Sequence, residues 1–340
     1  MQSAAKRILP GSRTARCLRS FLPSIDGHPT VVPEVWFNPE FQTAKYRKLQ
    51  ICARVWQCPC CAAIISERRR SELVQAVQVH KDNGGDVLLL TLTVPHYSFN
   101  RLDDLLSSMG KALSGSFFAG KGISTFFSKI GHIGHIRALE VTHGRLRQNN
   151  NGWHPHFHIL LFIKSGFDIH DLKLAFYRRW RNACISCQLP PPTFEHGLSL
   201  HDGTEAAYYA GKWGLEAEMT KGHVCKGSKQ SGETPFDFLR AFLYDNDKQA
   251  AALFSEFARC FKGKRQLFWS KGLKAHFHVG EVSDQEAAII NDTSAYCLGS
   301  IDFQDWQNIL KFDVRGELLE LSRLSWDVAQ EFVISLRNYK

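Results

Sequence analysis

The stretch Gly152-Trp153-His154-Pro155-His156-Phe157-His158-Ile159-Leu160-Leu161-Phe162 decides the fold of this chain. Its Phe, Ile and Leu content and the absence of a helical spacing predict a β-strand. Side chains alternate along a strand, so His156 and His158 share one face, and Phe157 and Ile159 share the other. Two imidazoles whose Cα atoms are about 6–7 Å apart can bind one metal ion. The pattern predicts a metal site, and the alternative is a pair of ordinary histidines at a strand end.

The preceding strand offers a third metal ligand. We predict a strand from His135 to Thr142 and a polar turn over 144–152, so the two strands form a hairpin. Glu140 lies on the first of them, and two histidines with a carboxylate leave positions open for water and a phosphate oxygen. His143 and His154 compete with Glu140 for this role. An exposed strand glutamate without a ligand role is the remaining alternative.

A second segment, Glu205-Ala206-Ala207-Tyr208-Tyr209-Ala210-Gly211-Lys212-Trp213, is predicted to be a helix because it is rich in small residues. Glu205, Tyr209 and Lys212 are spaced i, i+4 and i+7, which places them on one helical face. A lysine one turn from a tyrosine favours the phenolate and can also bind phosphate, so the tyrosine is a candidate nucleophile. The other interpretation is a half-buried tyrosine with a solvated lysine. Spacing alone does not separate Tyr208 from Tyr209.

Together these segments resemble the HUH endonucleases, named after His-hydrophobic-His, and most closely the rolling-circle replication initiators of small bacterial plasmids. His156-Phe157-His158 matches the first of the quoted motifs and Tyr209-Ala210-Gly211-Lys212 the second. Upstream, Leu88-Leu89-Leu90-Thr91-Leu92-Thr93-Val94 is similar to a structural motif of that family. Three motifs in the right order are more specific than the short tripeptide alone, and the resemblance covers residues 50–275.

The resemblance implies a nicking reaction. A divalent metal, Mg²⁺ or Mn²⁺, held by His156, His158 and Glu140 would polarise a DNA phosphate. Tyr209, with Lys212 beside it, would attack that phosphate to give a covalent 5′-phosphotyrosine and a free 3′-OH. The implied partners are single-stranded or hairpin origin DNA and a host helicase and polymerase, in the bacterial cytoplasm.

Glu205 has two interpretations. Some plasmid initiators are thought to use a glutamate four residues before the tyrosine to activate water for a second cleavage, and Glu205 has that spacing from Tyr209. A carboxylate there could act as a general base. The structural interpretation is a capping box, with Asp202 as the N-cap and Glu205 three residues later.

Two other functions stay open at this point. One is a single-tyrosine HUH transposase or relaxase, and the other is a zinc-stabilised DNA-binding protein without catalysis. The formal charge of +9 and the pI of about 9.0 favour a polyanionic partner and disfavour a hydrolase of small substrates. No run of 18 apolar residues occurs, so we expect no membrane span. The N-terminus lacks the apolar segment of a secretory signal.

The chain has 10 cysteines, and a cytosolic setting favours thiols or metal ligands over disulfides. The spacing of Cys58 and Cys61 suits tetrahedral zinc. Cys52 is the expected third ligand and Cys17 the fourth. The alternative is a set of reduced, half-buried thiols.

Basic and aromatic residues provide candidate DNA contacts. Arginines on two predicted helices would contact phosphates, and a later basic segment with aromatics suits single-stranded DNA. Solvated helix faces and a core tryptophan are the structural alternatives. The candidates are Arg68, Arg69, Arg178, Arg179, Lys264, Arg265 and Trp269.

The predicted class is α+β, with a ferredoxin-like antiparallel sheet in the order β-α-β-β-α-β followed by the tyrosine helix. The segment 281–340 holds 5 Lys and Arg against 11 Asp and Glu, which makes it an unlikely DNA surface. The predicted divisions are an irregular arm (1–45), a Cys-rich knuckle with a helix (46–82), the HUH domain (83–220), a basic and aromatic DNA-contacting extension (221–280) and an acidic helical segment (281–340).

Overall fold

The computed structural model describes residues 1–22, 31–120, 122–212, 232–289 and 294–338, with the backbone alone at 210–212. The strands are β1 (Glu34–Asn38), β2 (Thr43–Arg47), β3 (Gly85–Leu92), β4 (Gly134–His143), β5 (Trp153–Lys164), β6 (Leu198–His201), β7 (Leu267–Trp269) and β8 (Tyr296–Ser300). The helices are α1 (Gln2–Ile8), α2 (Pro59–Asp82), α3 (Leu102–Lys111), α4 (Ile123–Lys129), α5 (Ile169–Ser186), α6 (Gly203–Lys212), α7 (Pro235–Asp245), α8 (Lys248–Cys260), α9 (Leu273–His276), α10 (Asp284–Ala288), α11 (Phe303–Lys311), α12 (Arg315–Leu324) and α13 (Trp326–Ser335). Within these ranges, no helix combines the length and apolar character that a membrane span requires.

The chain divides into two compact units. The first consists essentially of residues 63–283, and the second combines 2–62 with 284–340. Each unit has its own antiparallel sheet with helices, which confirms the α+β class. The boundaries at 45, 82, 220 and 280 remain predictions, and part of the predicted DNA-contacting extension, 221–231, lies outside the described residues.

The sheet of the first unit has five strands in the order β6-β3-β5-β4-β7. All four pairings are antiparallel. The four strands predicted from the sequence are present, although β6 begins at Leu198, four residues later than expected. The predicted helix 101–129 is divided into α3, a π-helical turn (Ala112–Phe117) and α4.

The fifth strand, β7, lies in the segment that we interpreted as a basic and aromatic DNA contact. It pairs with β4, placing Leu267 opposite Ala138 and Trp269 opposite Ile136. A strand of three residues carries too little periodicity to be recognised in a sequence.

One face of this sheet forms the core that leads to the site. Leu89, Leu160 and Phe162 lie on it and pack with buried residues of α2 and α6, such as Val77 and Ala206. Burying each of these larger side chains contributes roughly 1.5–3 kcal/mol. Because side chains alternate along a strand, the next same-face positions on β3 and β5 belong to this face too. The face of the sheet that packs against α2 and α6 therefore also carries the polar side chains that follow the core residues along β3 and β5.

The second unit joins the two ends of the sequence. Its sheet has the order β2-β1-β8, and β1 pairs with β8 along most of its length. Trp306 is fully buried and donates from Nε1 to the Arg19 carbonyl oxygen at 2.8 Å. The stretch predicted as an irregular arm thus contains α1 and β1, and the C-terminal segment contains β8 in addition to its helices.

Candidate functional site

The register of three strands brings the candidate metal ligands together. In the β4–β5 pair, Glu140 lies opposite His156 and Ala138 opposite His158. In the β3–β5 pair, Thr91 lies opposite His158. Directly opposed residues of antiparallel strands project to the same face. Polar groups from three adjacent strands thus extend the core face at one end of the sheet.

The two imidazoles and the carboxylate converge on one point. Glu140 Oε2 lies 3.4 Å from His156 Nε2 and 3.4 Å from His158 Nε2. One ligand atom from each of the three residues lies within 4.8 Å of the others. The His156 and His158 side chains are 14% and 17% exposed, and that of Glu140 is 39% exposed. The group can therefore hold a metal ion and remains accessible on the Glu140 side.

Thr91 orients one of these histidines, a role that the sequence did not reveal. Its hydroxyl oxygen lies 2.9 Å from His158 Nδ1. A metal bound at Nε2 leaves the ring hydrogen on Nδ1, which then donates to the Thr91 hydroxyl. Thr91 belongs to the structural motif Leu88–Val94, and the only sequence signal for its role is that its side chain shares the face of Leu89.

The helix α6 places Tyr209 beside this group. The Tyr209 hydroxyl donates to Glu140 Oε1 at 2.8 Å, and its ring centroid lies 4.9 Å from that of His158. Tyr208 is 57% exposed, and α6 packs against β3. The geometry therefore distinguishes the two tyrosines where spacing could not. The Lys212 side chain lies outside the described residues.

Two side chains, those of Asp202 and Lys81, fix the start of α6. Asp202 Oδ1 accepts from the backbone N–H groups of Thr204 at 2.8 Å and Glu205 at 3.4 Å. Lys81 of α2 donates from Nζ to the Gly203 carbonyl oxygen at 2.7 Å. Asp202 therefore acts as the N-cap, one half of the predicted capping box. Glu205 is exposed, one turn before Tyr209 on the same helical face.

The histidines hold Glu140 in its ionised form. Burial by itself would raise the pKa of this carboxyl group. The positive charge of His158 and hydrogen bonds from His156 and His158 outweigh that effect and keep the pKa of Glu140 well below its usual range. A carboxylate in this form accepts the Tyr209 hydrogen bond and can bind a cation.

The two rival histidines lie outside the group of three ligand atoms. His143 is buried, and its Nδ1 accepts from the Arg145 backbone N–H at 3.0 Å. His154 stacks on His96, with ring centroids 4.6 Å apart. Burial, followed by the charge of His156, lowers the pKa of His154 to about 3. Burial also lowers the pKa of His143, to about 4, so both rings are neutral near pH 7.

The four cysteines predicted to bind zinc form a second group, in the other unit. Cys17, Cys52, Cys58 and Cys61 are buried free thiols whose sulfur atoms lie within 4.8 Å of one another. Cys61 Sγ is 3.5 Å from Cys17 Sγ and 3.6 Å from Cys52 Sγ. These sulfur–sulfur distances are too long for disulfide bonds, in which the two sulfur atoms are about 2.05 Å apart. They match the spacing of four sulfur atoms that each lie about 2.3 Å from one tetrahedrally coordinated ion.

The local structure explains how these cysteines meet. Cys17 follows the 3-10 turn Arg13–Arg16, and Cys58 and Cys61 flank the first residues of α2. The hydrogen bond between Cys17 and Cys52 raises the pKa of Cys17 and lowers that of Cys52. The neighbouring thiols thus stabilise the Cys52 thiolate. A thiolate is the form of cysteine that binds a metal cation.

The predicted DNA-contacting residues have different surroundings. Arg69 pairs with Glu72 at 2.9 Å and donates to the Val282 carbonyl oxygen. Arg179 donates to the carbonyl oxygens of Ser116, Phe117 and Ala119. The guanidinium groups of Arg69 and Arg179 thus make contacts within the protein.

The remaining candidates differ in exposure. Arg68, Arg178 and Arg265 are exposed, and Lys264 is half-buried. The Trp269 ring packs against the core face of the sheet. Of the predicted DNA contacts, the three exposed arginines are therefore the ones that a phosphate in solution could reach most easily.

Comparison with known proteins identifies the matching family. Residues 43–182 match the family described as Replication protein. This part of the chain is similar to that family. The match includes the histidines, Glu140 and the structural motif, and it ends before α6. It confirms the resemblance to the plasmid replication initiators that the three motifs indicated.

Curated relatives show the same similarity. The chain is 31% identical over 140 residues to "Protein rep" of Streptomyces lividans, covering 34% of this chain and 30% of the relative. It is 32% identical over 113 residues to "Protein rep" of Lentilactobacillus hilgardii, covering 32% of each. It is also 30% identical over 138 residues to "Neomycin resistance protein" of Streptomyces cyanogenus, covering 33% of this chain and 30% of the relative. The matches thus span about a third of these relatives. No solved structure matches.

Replacing Thr91 should weaken metal binding without unfolding the sheet. Thr91→Val keeps the shape of the side chain but removes the hydroxyl that orients His158. We expect Mn²⁺ affinity, measured by the loss of the free-ion EPR signal, to fall roughly 10- to 100-fold. Thr93→Val is the control, because Thr93 donates to the His196 carbonyl oxygen. Equal affinity in both variants and wild type would show that Thr91 does not position the ligand.

The cysteine group should hold one zinc ion in the purified chain, measured by elemental analysis. Cys58→Ser should lose the zinc and lower the free energy of unfolding by several kcal/mol, because metal binding contributes directly to folding. Cys297→Ser, at an exposed cysteine of the same unit, should change neither quantity. A well-folded wild-type sample without zinc would refute the assignment.

Proposed function

We propose that this chain starts the rolling-circle replication of a plasmid by nicking and rejoining single-stranded DNA at a specific site. The observation that carries the proposal is the Tyr209 hydrogen bond to Glu140, whose other carboxylate oxygen lies between His156 and His158. A nucleophile in direct contact with a group of three metal-binding side chains can carry out phosphodiester transfer.

The architecture of the first unit supports an HUH assignment. Leaving out the added edge strand β7, the sheet order is β6-β3-β5-β4. If these four strands are numbered by their order in the chain, their order in the sheet is 4-1-3-2. Helices connect the first strand to the second and the third strand to the fourth. This strand order and these helix positions are the ones expected for a ferredoxin-like sheet, which supports the proposal. The two central strands, β3 and β5, carry Thr91 and the two histidines.

The ligand set suits a divalent cation with oxygen and nitrogen ligands, Mg²⁺ or Mn²⁺. His156 and His158 would bind through Nε2 and Glu140 through one carboxylate oxygen, which leaves positions open on the exposed side. A cation there would withdraw charge from a phosphate oxygen and make the phosphorus a better electrophile.

The residues of the chain supply the nucleophile and its orientation. Glu140 has one oxygen facing the histidines and the other accepting from the Tyr209 hydroxyl, so a single carboxylate fixes both groups relative to each other. The phenolic oxygen would form the new bond to phosphorus while the bond from phosphorus to the 3′-oxygen breaks. The proton lost by the phenol balances the proton gained by the 3′-oxygen. The products are a 5′-phosphotyrosine and a 3′-OH that a polymerase can extend.

The proposed partners follow from this reaction. They are single-stranded or hairpin origin DNA, which the excess of positive charge attracts, and a host helicase and polymerase. The proposed location is the bacterial cytoplasm, where plasmids replicate.

Glu205 is proposed to act after the first cleavage. Release of a finished circle requires a second cleavage, and the exposed Glu205 carboxylate, one turn before Tyr209, could activate water at the same phosphate. Its backbone N–H contact with the Asp202 cap is independent of the Glu205 side chain. The two roles can therefore be tested separately.

Substitution of the two tyrosines tests the nucleophile. Tyr209→Phe should form no covalent adduct with an origin oligonucleotide in Mn²⁺, whereas Tyr208→Phe should form it at near the wild-type rate. Mass spectrometry of the adduct peptide locates the nucleotide. An adduct on Tyr208, or wild-type protein that only shifts the oligonucleotide without cutting it, would contradict the proposal. His156→Ala should lose nicking but keep most of the DNA affinity.

Substitution of Glu205 separates initiation from termination. Glu205→Gln keeps the backbone contact to Asp202 and removes only the carboxylate charge. We expect it to form the first adduct at near the wild-type rate but to accumulate multimeric single strands in a plasmid replication assay. Asp202→Ala, the matched control, should weaken α6 by about 1 kcal/mol and slow both cleavages together. Normal termination by Glu205→Gln would leave this residue without a role in the reaction.

A further inference from the structure

Two exposed aromatic rings lie in the loop that follows β3. The Tyr97 and Phe99 ring centroids are 5.4 Å apart, and their planes differ by 4°. Tyr97 is 49% exposed and Phe99 is 77% exposed. Exposing large apolar rings is unfavourable, so a parallel pair at the surface indicates a binding partner rather than a packing role.

The loop has a defined conformation. The Tyr97 backbone N–H donates to Asn100 Oδ1 at 2.7 Å, and the Asn100 backbone N–H donates to the Tyr97 carbonyl oxygen at 3.0 Å. Gly152, with φ of 70°, lies so close to the loop that a Cβ atom there would be 2.9 Å from the Ser98 Cα. The rings are therefore presented on a loop fixed against the start of β5.

A chain of ring contacts connects the loop to the proposed active site. His96 contacts the Asn151 carbonyl oxygen through Nδ1 at 2.8 Å and stacks on His154. The His154 ring centroid lies 5.2 Å from that of His156. Tyr97 follows His96 directly, so the loop that carries the aromatic pair begins at the edge of the site where the phosphate would bind.

A positive charge lies near the histidine stack at the start of this loop. Burial lowers the pKa of His96, and the charge of Arg147 lowers it further. Arg147 is thus close to the histidine stack. Arg147 is half-buried, and a guanidinium group is a natural partner for a phosphate.

We propose that Tyr97 and Phe99 form a stacking platform for an unpaired base of the DNA strand whose phosphate is cut at His156 and His158. This inference rests on the proposed function and adds a binding surface to it. Aromatic rings beside a cation are the usual means of holding single-stranded DNA, because every base has a π face. The platform would fix the strand next to the scissile phosphate by stacking, in addition to the phosphate contacts predicted for the exposed arginines on α2 and α5.

A nucleic-acid base is the occupant that the geometry favours. Two rings expose far less area than the roughly 800 Å² per partner of a stable protein interface. A base, in contrast, is matched in size by a single ring. The nearby positive charge also suits a nucleotide better than an apolar peptide.

The platform is tested by fluorescence anisotropy with a labelled single-stranded oligonucleotide of about 12 nucleotides, in the full-length chain without added metal. Tyr97→Ala and Phe99→Ala should each weaken binding roughly tenfold. Phe99→Trp should keep the affinity, whereas Phe99→Leu, which is apolar but has no ring, should lose most of it. The slope of affinity against salt should not change, because no phosphate contact is removed. Tyr244→Ala, at an exposed tyrosine of α7, is the matched control and should bind as wild type does.

Affinities of the Tyr97 and Phe99 variants within twofold of wild type would overturn the platform. So would variants that change only the oligomeric state, since the rings would then contact a second copy of the chain. These outcomes are separate from failure of the proposed function. A wild-type chain that forms no adduct with DNA would refute nicking, whereas the anisotropy measurement reports on the platform in either case.

Discussion

The site depends on the antiparallel register of β5 with its two neighbours. Because β4 places Glu140 opposite His156 and β3 places Thr91 opposite His158, two histidines, a carboxylate and a hydroxyl converge without any loop contributing a ligand. A slip of one residue would turn every one of these side chains to the other face. The register is fixed by the apolar residues further along the same strands, such as Leu89 opposite Leu160.

The same face thus performs two tasks along its length. At one end it is apolar and anchors α2 and α6, and at the other it is polar. Ionised groups that are partly removed from water are costly unless they are paired. Glu140 meets this condition through both histidines and Tyr209. Since α6 packs on the apolar end, it brings the tyrosine that it carries to the polar end.

The sequence was informative where local periodicity carries the structure. The alternation of His156, Phe157, His158 and Ile159 predicted a strand with two histidines on one face, and the turn at 144–152 predicted its hairpin partner. The spacing of Cys58 and Cys61 predicted a cysteine group that the structure places together with Cys17 and Cys52.

Features that depend on distant pairing could not be predicted. The Thr91 contact with His158 joins residues 67 positions apart, and the strand pairing of β1 with β8 joins the two ends of the chain. Arg69 and Arg179 looked like phosphate contacts, because a sequence does not show which arginines have carbonyl or carboxylate partners nearby. The aromatic loop after β3 was missed for a related reason. Only the structure shows that its rings are exposed and that His96, at the start of the loop, stacks on His154.

The central claim is that His156, His158 and Glu140 share one metal ion beside Tyr209. Anomalous diffraction from crystals of the full-length chain soaked in Mn²⁺ tests it most directly. The account predicts one strong manganese peak about 2.1–2.2 Å from both Nε2 atoms and from one Glu140 oxygen, with ligand distances typical of imidazole and carboxylate. Manganese bound elsewhere, or absent from this group at saturating concentration, would contradict it.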